Sequence, residues 1–560
     1  MLITELFPRP KRFELTGGEV NTILEPSFEI TNQAGEGYRI ELQQNALRVT
    51  TASCGKPRAE ATIFQIQELL CKKGSLPACV LEDYPTLQTR GFMLDISRGR
   101  VPRRAVLEKL VHVLWLLKFN QLQLYTEHVF QYRGHERVWR GTGAFAPEDI
   151  RWLDALCRER GIELVPNQNT FGHMEKWLLY PEYHYIAESP AGYDHPLLGW
   201  RKSGGVLRPG NESLRFIDKL LEELLPNFSS GQVNIGCDET WELGEGASRS
   251  RVEQLGKPFV FAEHLQKLLG LAYTHGKRPQ FWADVFMDGE AEAAMNLQKC
   301  LPVVWGYEPG HPFPDLLERL EAIGLRALLA PGTGAWNSFG GRWNCASRNI
   351  REACAASAAG NCEGILLTSW GDNGHLYPFS VMWPGTVLAG ALAWSGEEDS
   401  NTIKDGIALL NGVNDVAATE ALLQLGRLDA IAKSESPNMS GLYRAALQIQ
   451  LKGIPVPYQA GTQQEGRARE VIQEVRQRLR NPRLKRSGIK TTKGIKNELR
   501  TDIALATDMT EWAINLVAQQ EQPEHLKDLL AAFGTNWEAT ARSPLPPQAH
   551  VLFNQSESKT

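Results

Sequence analysis

The sequence predicts an α/β protein built on a (β/α)8 TIM barrel, with a small N-terminal α/β domain before it and a C-terminal helical region after it. Three observations predict this. From Arg90 onward a strand-like apolar run is followed by a helical run, and the pair recurs until eight strands are counted by residue 368. No Gly-rich dinucleotide turn follows the first strand, which disfavours the competing doubly wound open sheet. After about residue 396 the strand signals stop.

Residues 1–85 alternate short β-like runs with turn residues: Phe28–Ile30, Tyr38–Leu42 and Leu47–Thr51, then a helical run over Ala61–Cys71. Asp83-Tyr84-Pro85 reads as a linker. The barrel is assigned to residues 86–395. Its strands are predicted at Gly91–Ile96, Gln121–Thr126, Glu163–Asn167, Val233–Cys237, Pro279–Ala283, Leu301–Trp305, Ala327–Ala330 and Gly364–Thr368. Helical patterns lie between them at Val106–Leu117, Pro147–Arg160, Leu214–Leu225, Phe261–Tyr273, Pro314–Ile323 and Ile350–Ala359, and a last one fits Pro384–Trp394. Pro147 suits a first helical position, where no backbone N–H is needed. Residues 396–560 form the C-terminal region, with helices predicted at Ala417–Lys433, Arg467–Arg480, Lys496–Gln520 and Glu524–Phe533. The basic run Arg478–Lys496 reads as a solvated loop, with a phosphate or nucleic-acid site as the alternative.

Composition narrows the function classes. Of 560 residues, 42% are hydrophobic and 22% charged, so the chain can bury a core, and long disorder is not expected. A net charge of −5 argues against a nucleic-acid partner, which asks for a basic face. No stretch approaches 18 uninterrupted apolar residues, so no membrane partner is expected. The start, MLITELFPRPKRFELTGG, has no basic segment followed by a long apolar run and does not read as a signal peptide. The nine cysteines (54, 71, 79, 157, 237, 300, 345, 354 and 362) are odd in number and irregularly spaced, without a C-x-x-C pair. That pattern points to free thiols in a reducing compartment, hence a cytoplasmic protein without a structural zinc. No cofactor or metal is expected.

A barrel of this kind carries its site at the C-terminal ends of the strands. The residues there are Asp95, Ser97 and Arg98; Glu127 and His128; Asn169 and His173; Asp238 and Glu239; Trp282 and Asp284; Trp305 and Tyr307; Trp336 beyond strand seven; and Trp370 and Asp372. Any one of these tryptophans is more simply core, but four at matching positions suit a sugar ring, with its apolar C–H faces and hydroxyl rim. An Asp-Glu dipeptide alone says little. Here it ends the apolar run Val233–Cys237. Neighbours on a regular strand face opposite ways, so both carboxylates serve one pocket only if the strand breaks there. Two carboxylates suit glycoside cleavage, in which one protonates the leaving oxygen and the other stabilises or attacks the developing cation. Adjacent residues are poorly placed to flank a sugar from opposite sides. That hints at the exception in which the substrate's own 2-acetamido oxygen is the nucleophile and Asp238 orients it.

At these residues the chain resembles glycoside hydrolase family 20, the β-N-acetylhexosaminidases. Four segments carry the resemblance: Arg90 to Arg98, Phe171-Gly172-His173, Val233 to Glu239 with Leu207-Arg208-Pro209-Gly210 upstream, and Thr368 to Asp372. The resemblance implies a retaining exo-enzyme that removes terminal β-linked GlcNAc or GalNAc from a small glycoside or oligosaccharide. It implies Glu239 as general acid/base and Asp238 as the residue that holds the acetamido group while an oxazolinium intermediate forms. It also implies Arg90 on the 3- and 4-hydroxyls, Trp282, Trp305 and Trp370 as pocket walls, Asp372 on a hydroxyl, and His173 supporting the acid. Trp336 joins the walls by its position past strand seven.

The chain departs from the family pattern in several places. Asn234 replaces a His, Cys237 a Gly, Asn169 an Asp and Asp372 a Glu, and Tyr125-Thr126-Glu127-His128 replaces a His-x-x-x-Asp-Asp pattern. These changes leave GlcNAc and GalNAc both open. The alternatives are a carboxylate-dependent glycosidase of other ancestry, a barrel that only binds amino-sugar chains, and a metal deacetylase using His128, His173 and Asp95. No metal-ligand spacing supports the last. The C-terminal region either packs against its own barrel or completes the site of a neighbouring copy in a homo-oligomer.

Overall fold

Short apolar runs that are buried on both faces favour parallel strands covered by helices, and this chain closes eight of them into a barrel. The structure, a computed structural model, describes residues 5–32, 34–195, 199–284, 299–411, 415–428, 437–452, 463–480, 495–519 and 526–553. The barrel strands are Thr89–Asp95, Gln121–Thr126, Glu163–Gln168, Gln232–Asn234, Arg278–Trp282, Leu301–Trp305, Ala327–Ala330 and Cys362–Ser369. They follow one another around the barrel in chain order, and the eighth pairs with the first from Gly364↔Thr89 to Ser369↔Leu94. All six residues of the second strand are buried, as the two-sided covering requires.

The lower barrel interior is filled by amides rather than by aliphatic side chains alone. Gln123 Nε2 donates to Gln280 Oε1 (2.7 Å), and Gln123 Oε1 accepts from Asn167 Nδ2 (2.9 Å) and Asn234 Nδ2 (3.2 Å). Each of these buried polar groups thereby offsets its desolvation with a partner. Asn234, a departure from the family pattern, belongs to this network.

The N-terminal region is a five-stranded sheet in the order Arg12–Val20, Leu76–Asp83, Tyr38–Gln43, Ala46–Ala52, Pro26–Thr31, with the helix Lys56–Lys73 against it. Two of these strands escape the sequence reading. Arg12–Val20 is almost wholly exposed, and its apolar alternation, Phe13 and Leu15 between Arg12, Glu14 and Thr16, is cut short by Gly17 and Gly18. Leu76–Asp83 holds a proline and a cysteine among its apolar residues. The linker reading at Asp83–Pro85 is corrected. Asp83 ends a strand, and its buried carboxylate accepts from Tyr38 Oη (2.7 Å), Lys118 Nζ (2.6 Å) and Trp394 Nε1 (2.8 Å). A buried carboxylate with three donors ties the sheet to the bottom of the barrel instead of spacing the two apart.

The C-terminal helices are Thr402–Asn411, Val416–Leu425, Gly441–Lys452, Gln463–Arg480, Ile495–Gln519, Leu526–Thr540 and Pro547–Phe553. Their buried side chains join the barrel's own hydrophobic cluster, so this region packs on the barrel of the same chain. Arg100 lies 4.4 Å over the Trp537 ring, and Arg542 pairs with Asp149 at 2.6 Å. Most of the basic run, residues 481–494, lies outside the described residues, as does the end of the helix predicted to Lys433. Among the described residues, no helix is long and apolar enough to cross a membrane.

Candidate active site

The Asp238–Glu239 dipeptide sits where the fourth strand stops early. The sequence predicts a strand to Cys237, but the regular strand ends at Asn234, whose Oδ1 accepts the Gly236 N–H at 3.0 Å. A further backbone bond runs from the Trp282 N–H to the Gly236 carbonyl at 2.9 Å. Gly236, Cys237 and Glu239 then take positive φ values of 70°, 76° and 50°. Left-handed backbone at two non-glycine residues is strained and is found where surrounding structure holds it for a purpose. At Gly236 a side chain is impossible, because a Cβ would lie 1.7 Å from Asn169 Oδ1. The turn breaks the two-residue alternation of the strand, and Asp238 and Glu239 converge on one side chain, His173.

His173, after strand three, stands between the two carboxylates. Its Nε2 lies 3.2 Å from Asp238 Oδ2 and 3.5 Å from Glu239 Oε2. Burial works against the imidazolium, but the charge and hydrogen bond of Asp238 outweigh it and lift the pKa to about 10. The ring is therefore a cation across neutral pH. Glu239 is pushed the other way for an acid. Burial raises its pKa, the His173 cation opposes that, and the Asp238 charge adds to the rise. A raised pKa is the direction that proton donation asks of an acid. Asp238 Oδ1 is buried without a hydrogen-bond partner among the described residues, and so is Trp282 Nε1.

A second carboxylate supports the turn. Asp284, after strand five, accepts the Glu239 backbone N–H on Oδ2 (2.8 Å) and Trp305 Nε1–H on Oδ1 (3.0 Å). Burial and the nearby Asp238 charge raise its pKa to about 7.

The aromatic wall joins strands two, five, six and eight. Trp370 meets Trp282 at 5.6 Å and the edge of Tyr125 at 4.7 Å, and its Nε1 donates to Tyr307 Oη at 2.9 Å. Trp305 stacks on Tyr307 at 5.5 Å. Trp336 is buried and reaches this cluster through Tyr307, edge-on at 5.2 Å.

The structure overturns one predicted site residue. Arg90 stands at the N-terminal end of the first strand, on the opposite face of the barrel. Its guanidinium donates to the carbonyls of Leu87 (2.8 Å), Gln88 (2.9 Å) and Lys118 (2.8 Å) and pairs with Glu36 of the N-terminal sheet. With its donors spent there, it cannot reach a sugar at the other end. Arg98, at the C-terminal end of the same strand, is in the site instead. Its Nη1 pairs with Glu127 Oε1 (2.9 Å) and Asp95 Oδ2 (3.3 Å), and its guanidinium lies 5.6 Å over the Trp370 ring. Burial disfavours the Arg98 cation, and Glu127, Tyr125, Asp95 and Asp372 together hold it charged. Glu127 is lifted to about 7 by burial against the pull of Arg98, and Asp372 to about 6 by burial, again opposed by Arg98. Asp372 Oδ2 takes a long contact from Asn337 Nδ2 at 3.4 Å.

The structure thus brings Asp238, Glu239, His173, Trp282, Trp305, Trp370 and Asp372 to one end of the barrel. Arg98, Glu127, Tyr125, Asp284 and Tyr307 complete it. Sequence reasoning had most of these among the strand-end residues and did not single them out. Their signal was that position alone.

Comparison with known proteins agrees with this geometry. The model for the glycosyl hydrolase family 20 catalytic domain matches residues 127–340, which include Asp238 and Glu239. A beta-hexosaminidase of Akkermansia muciniphila is 25% identical over 371 residues, covering 60% of this chain and 71% of its own length. Hexosaminidase D of Homo sapiens is 23% identical over 375 residues, covering 63% of this chain and 69% of its own. The beta subunit of beta-hexosaminidase from Felis catus is 26% identical, covering 56% of this chain and 61% of its own. Among solved structures, a beta-N-acetylhexosaminidase superposes with a TM-score of 0.59 at 18% identity, covering 78% of this chain and 98% of its own. The chitobiase of Flavobacterium johnsoniae covers 98% of both chains with a TM-score of 0.57 at 14% identity. At these identities the structural likeness speaks for the fold.

Proposed function

Because the chain is a divergent member of glycosyl hydrolase family 20, we propose that it is a retaining exo-β-N-acetylhexosaminidase in which the substrate's acetamido oxygen is the nucleophile. One observation carries this reading: the strand breaks at Asn234 and turns Asp238 and Glu239 together onto His173. Asp238 engages His173 through Oδ2, which leaves the buried Oδ1 to accept the acetamido N–H. Holding that N–H orients the amide oxygen toward the anomeric carbon and stabilises the positive charge that the amide gains. Glu239 gives its proton to the leaving oxygen as the glycosidic bond breaks and an oxazolinium ring closes. The resulting carboxylate then takes a proton from water as the water opens the ring, and two inversions give net retention.

The remaining residues support binding of the terminal sugar. Trp282, Trp305 and Trp370 offer faces for its C–H surfaces. Arg98, fixed by Glu127 and flanked by Asp372, suits its hydroxyls. The free thiols of the nine cysteines, seven of them buried, suit a reducing compartment, and we place the enzyme in the cytoplasm on that ground. A thiazoline analogue of the oxazolinium intermediate tests the mechanism. Competitive inhibition at least about 10²-fold tighter than binding of the free sugar is expected of an intermediate mimic. Inhibition no tighter than by the free sugar would point to an ordinary two-carboxylate enzyme.

A further inference from the structure

We propose that Trp241, with His195 and Tyr193 beside it, forms a subsite on the leaving-group side of Glu239 that takes a second pyranose. The substrate is then an oligosaccharide rather than a glycoside of a small alcohol. This rests on Glu239 as the proton donor, since that residue defines where the leaving group lies.

Trp241 follows Glu239 by two residues and is fixed to it. Its backbone N–H donates to the Glu239 carbonyl at 2.8 Å, and its own carbonyl accepts Lys257 Nζ at 2.8 Å. Yet 42% of the residue is exposed, whereas Trp282 and Trp370 are 1% and 8% exposed. A rigidly held backbone that presents a large apolar face to solvent beside the acid is a stacking platform in search of a ring. The strands Tyr193–His195 and Gly199–Arg201 pair to extend that platform. The His195 ring lies 6.1 Å from the Trp241 ring, and the Tyr193 ring lies 5.9 Å from His195. Alternation along the strand puts Tyr193 and His195 on one face. The exposed Trp200, which pairs with Asp194, belongs to the other face and plays no part. The Tyr193 phenol is also close enough to Glu175, Glu242 and Glu239 to feel their charges. A pyranose with equatorial substituents has an apolar C–H face for the indole and rim hydroxyls for the phenol and imidazole, and it extends from the oxygen that Glu239 protonates.

The test compares kcat/KM of the full chain and its Trp241→Ala and Trp241→Phe variants on two substrates. One is N,N′-diacetylchitobiose. The other is 2-acetamido-2-deoxy-β-glucosyl fluoride, whose leaving ion is too small to fill the subsite and needs no proton from Glu239. The disaccharide-to-fluoride ratio should fall about tenfold in Trp241→Ala and recover most of that loss in Trp241→Phe. An unchanged ratio in Trp241→Ala would overturn the subsite. So would a wild-type chain that cleaves the fluoride but not the disaccharide, and that outcome would leave the acetamido chemistry standing. A wild-type chain that cleaves neither would remove the catalytic reading and the subsite with it.

Discussion

The first barrel strand carries an arginine at each end, and the two arginines live in opposite chemical worlds. At the bottom, Arg90 spends its donors on three carbonyls and Glu36, while Lys118 and Asp83 pair at 2.6 Å beside it. These charges are buried and matched, which is how ion pairs are made tolerable in a protein interior. At the top, Arg98 faces a surplus of carboxylates: Asp95, Glu127, Asp372 and, through His173, Asp238 and Glu239. Burial raises the pKa values of Glu127, Asp372 and Glu239, and among the described residues Asp238 Oδ1 and Trp282 Nε1 are buried without partners. Satisfied charge marks the end that holds the domains together. Charge left over, with strained backbone at Cys237 and Glu239, marks the end that works on a ligand.

Mutation should separate the two ends, and the largest effects belong to the top. Glu239→Gln keeps the shape but removes the proton, so kcat on an aryl β-N-acetylglucosaminide should fall about 10³-fold without loss of Tm. Activity close to wild type would remove Glu239 from the chemistry. Asp238→Asn should cost about 10²-fold in kcat, because the acetamido group loses a charged acceptor while the pocket keeps its form.

The arginines sharpen the contrast further. Arg98→Met should lower kcat/KM by about 10²-fold while the protein stays folded, since hydrogen bonds to a charged group are worth about 1.5–3 kcal/mol each. Arg90→Met should instead cost about 3–5 kcal/mol of stability, read in denaturant melts, because it leaves Glu36 and three carbonyls short of donors. The folded fraction of that variant should keep wild-type KM. The reverse pattern, with Arg90→Met as stable as wild type but raised in KM and Arg98→Met unstable but with wild-type kcat/KM in its folded fraction, would break the comparison.

How far the sequence could go follows from the same strand. The apolar runs locate all eight barrel strands to within a few residues, because strands buried on both faces stay rich in apolar residues even where Gln123, Asn167 and Gln280 interrupt them. They do not tell which arginine faces the ligand, because the top and bottom of a strand differ in neighbours that come from elsewhere in the chain. Glu36 and Lys118 claim Arg90 from 54 and 28 residues away. Asp284 was visible as a strand-end residue, but its grip on the Glu239 N–H depends on a turn that only the fold creates. In the exposed strand Arg12–Val20 the apolar alternation covers only Phe13 and Leu15 before Gly17 and Gly18 end it. By contrast the adjacency of Asp238 and Glu239 required a break in the strand, and the positive φ values at residues 236, 237 and 239 supply it.

The smallest expected effect is a shift in pH dependence. In the proposed mechanism Glu239 acts in its protonated form, so kcat/KM should fall as pH rises through its raised pKa. The His173 cation lowers that pKa. His173→Asn removes it, so the alkaline limb should move upward by about half to one pH unit. A downward move would mean that His173 holds the acid protonated rather than opposing it.

The most direct measurement compares two aryl β-glycosides that differ only at C2, one bearing an acetamido group and one a hydroxyl. With the acetamido oxygen as nucleophile and Asp238 as its holder, kcat/KM for the acetamido substrate should exceed that for the glucoside by about 10³-fold or more. Comparable rates on the two would contradict the assignment, because the glucoside carries no acetamido oxygen to attack the anomeric carbon.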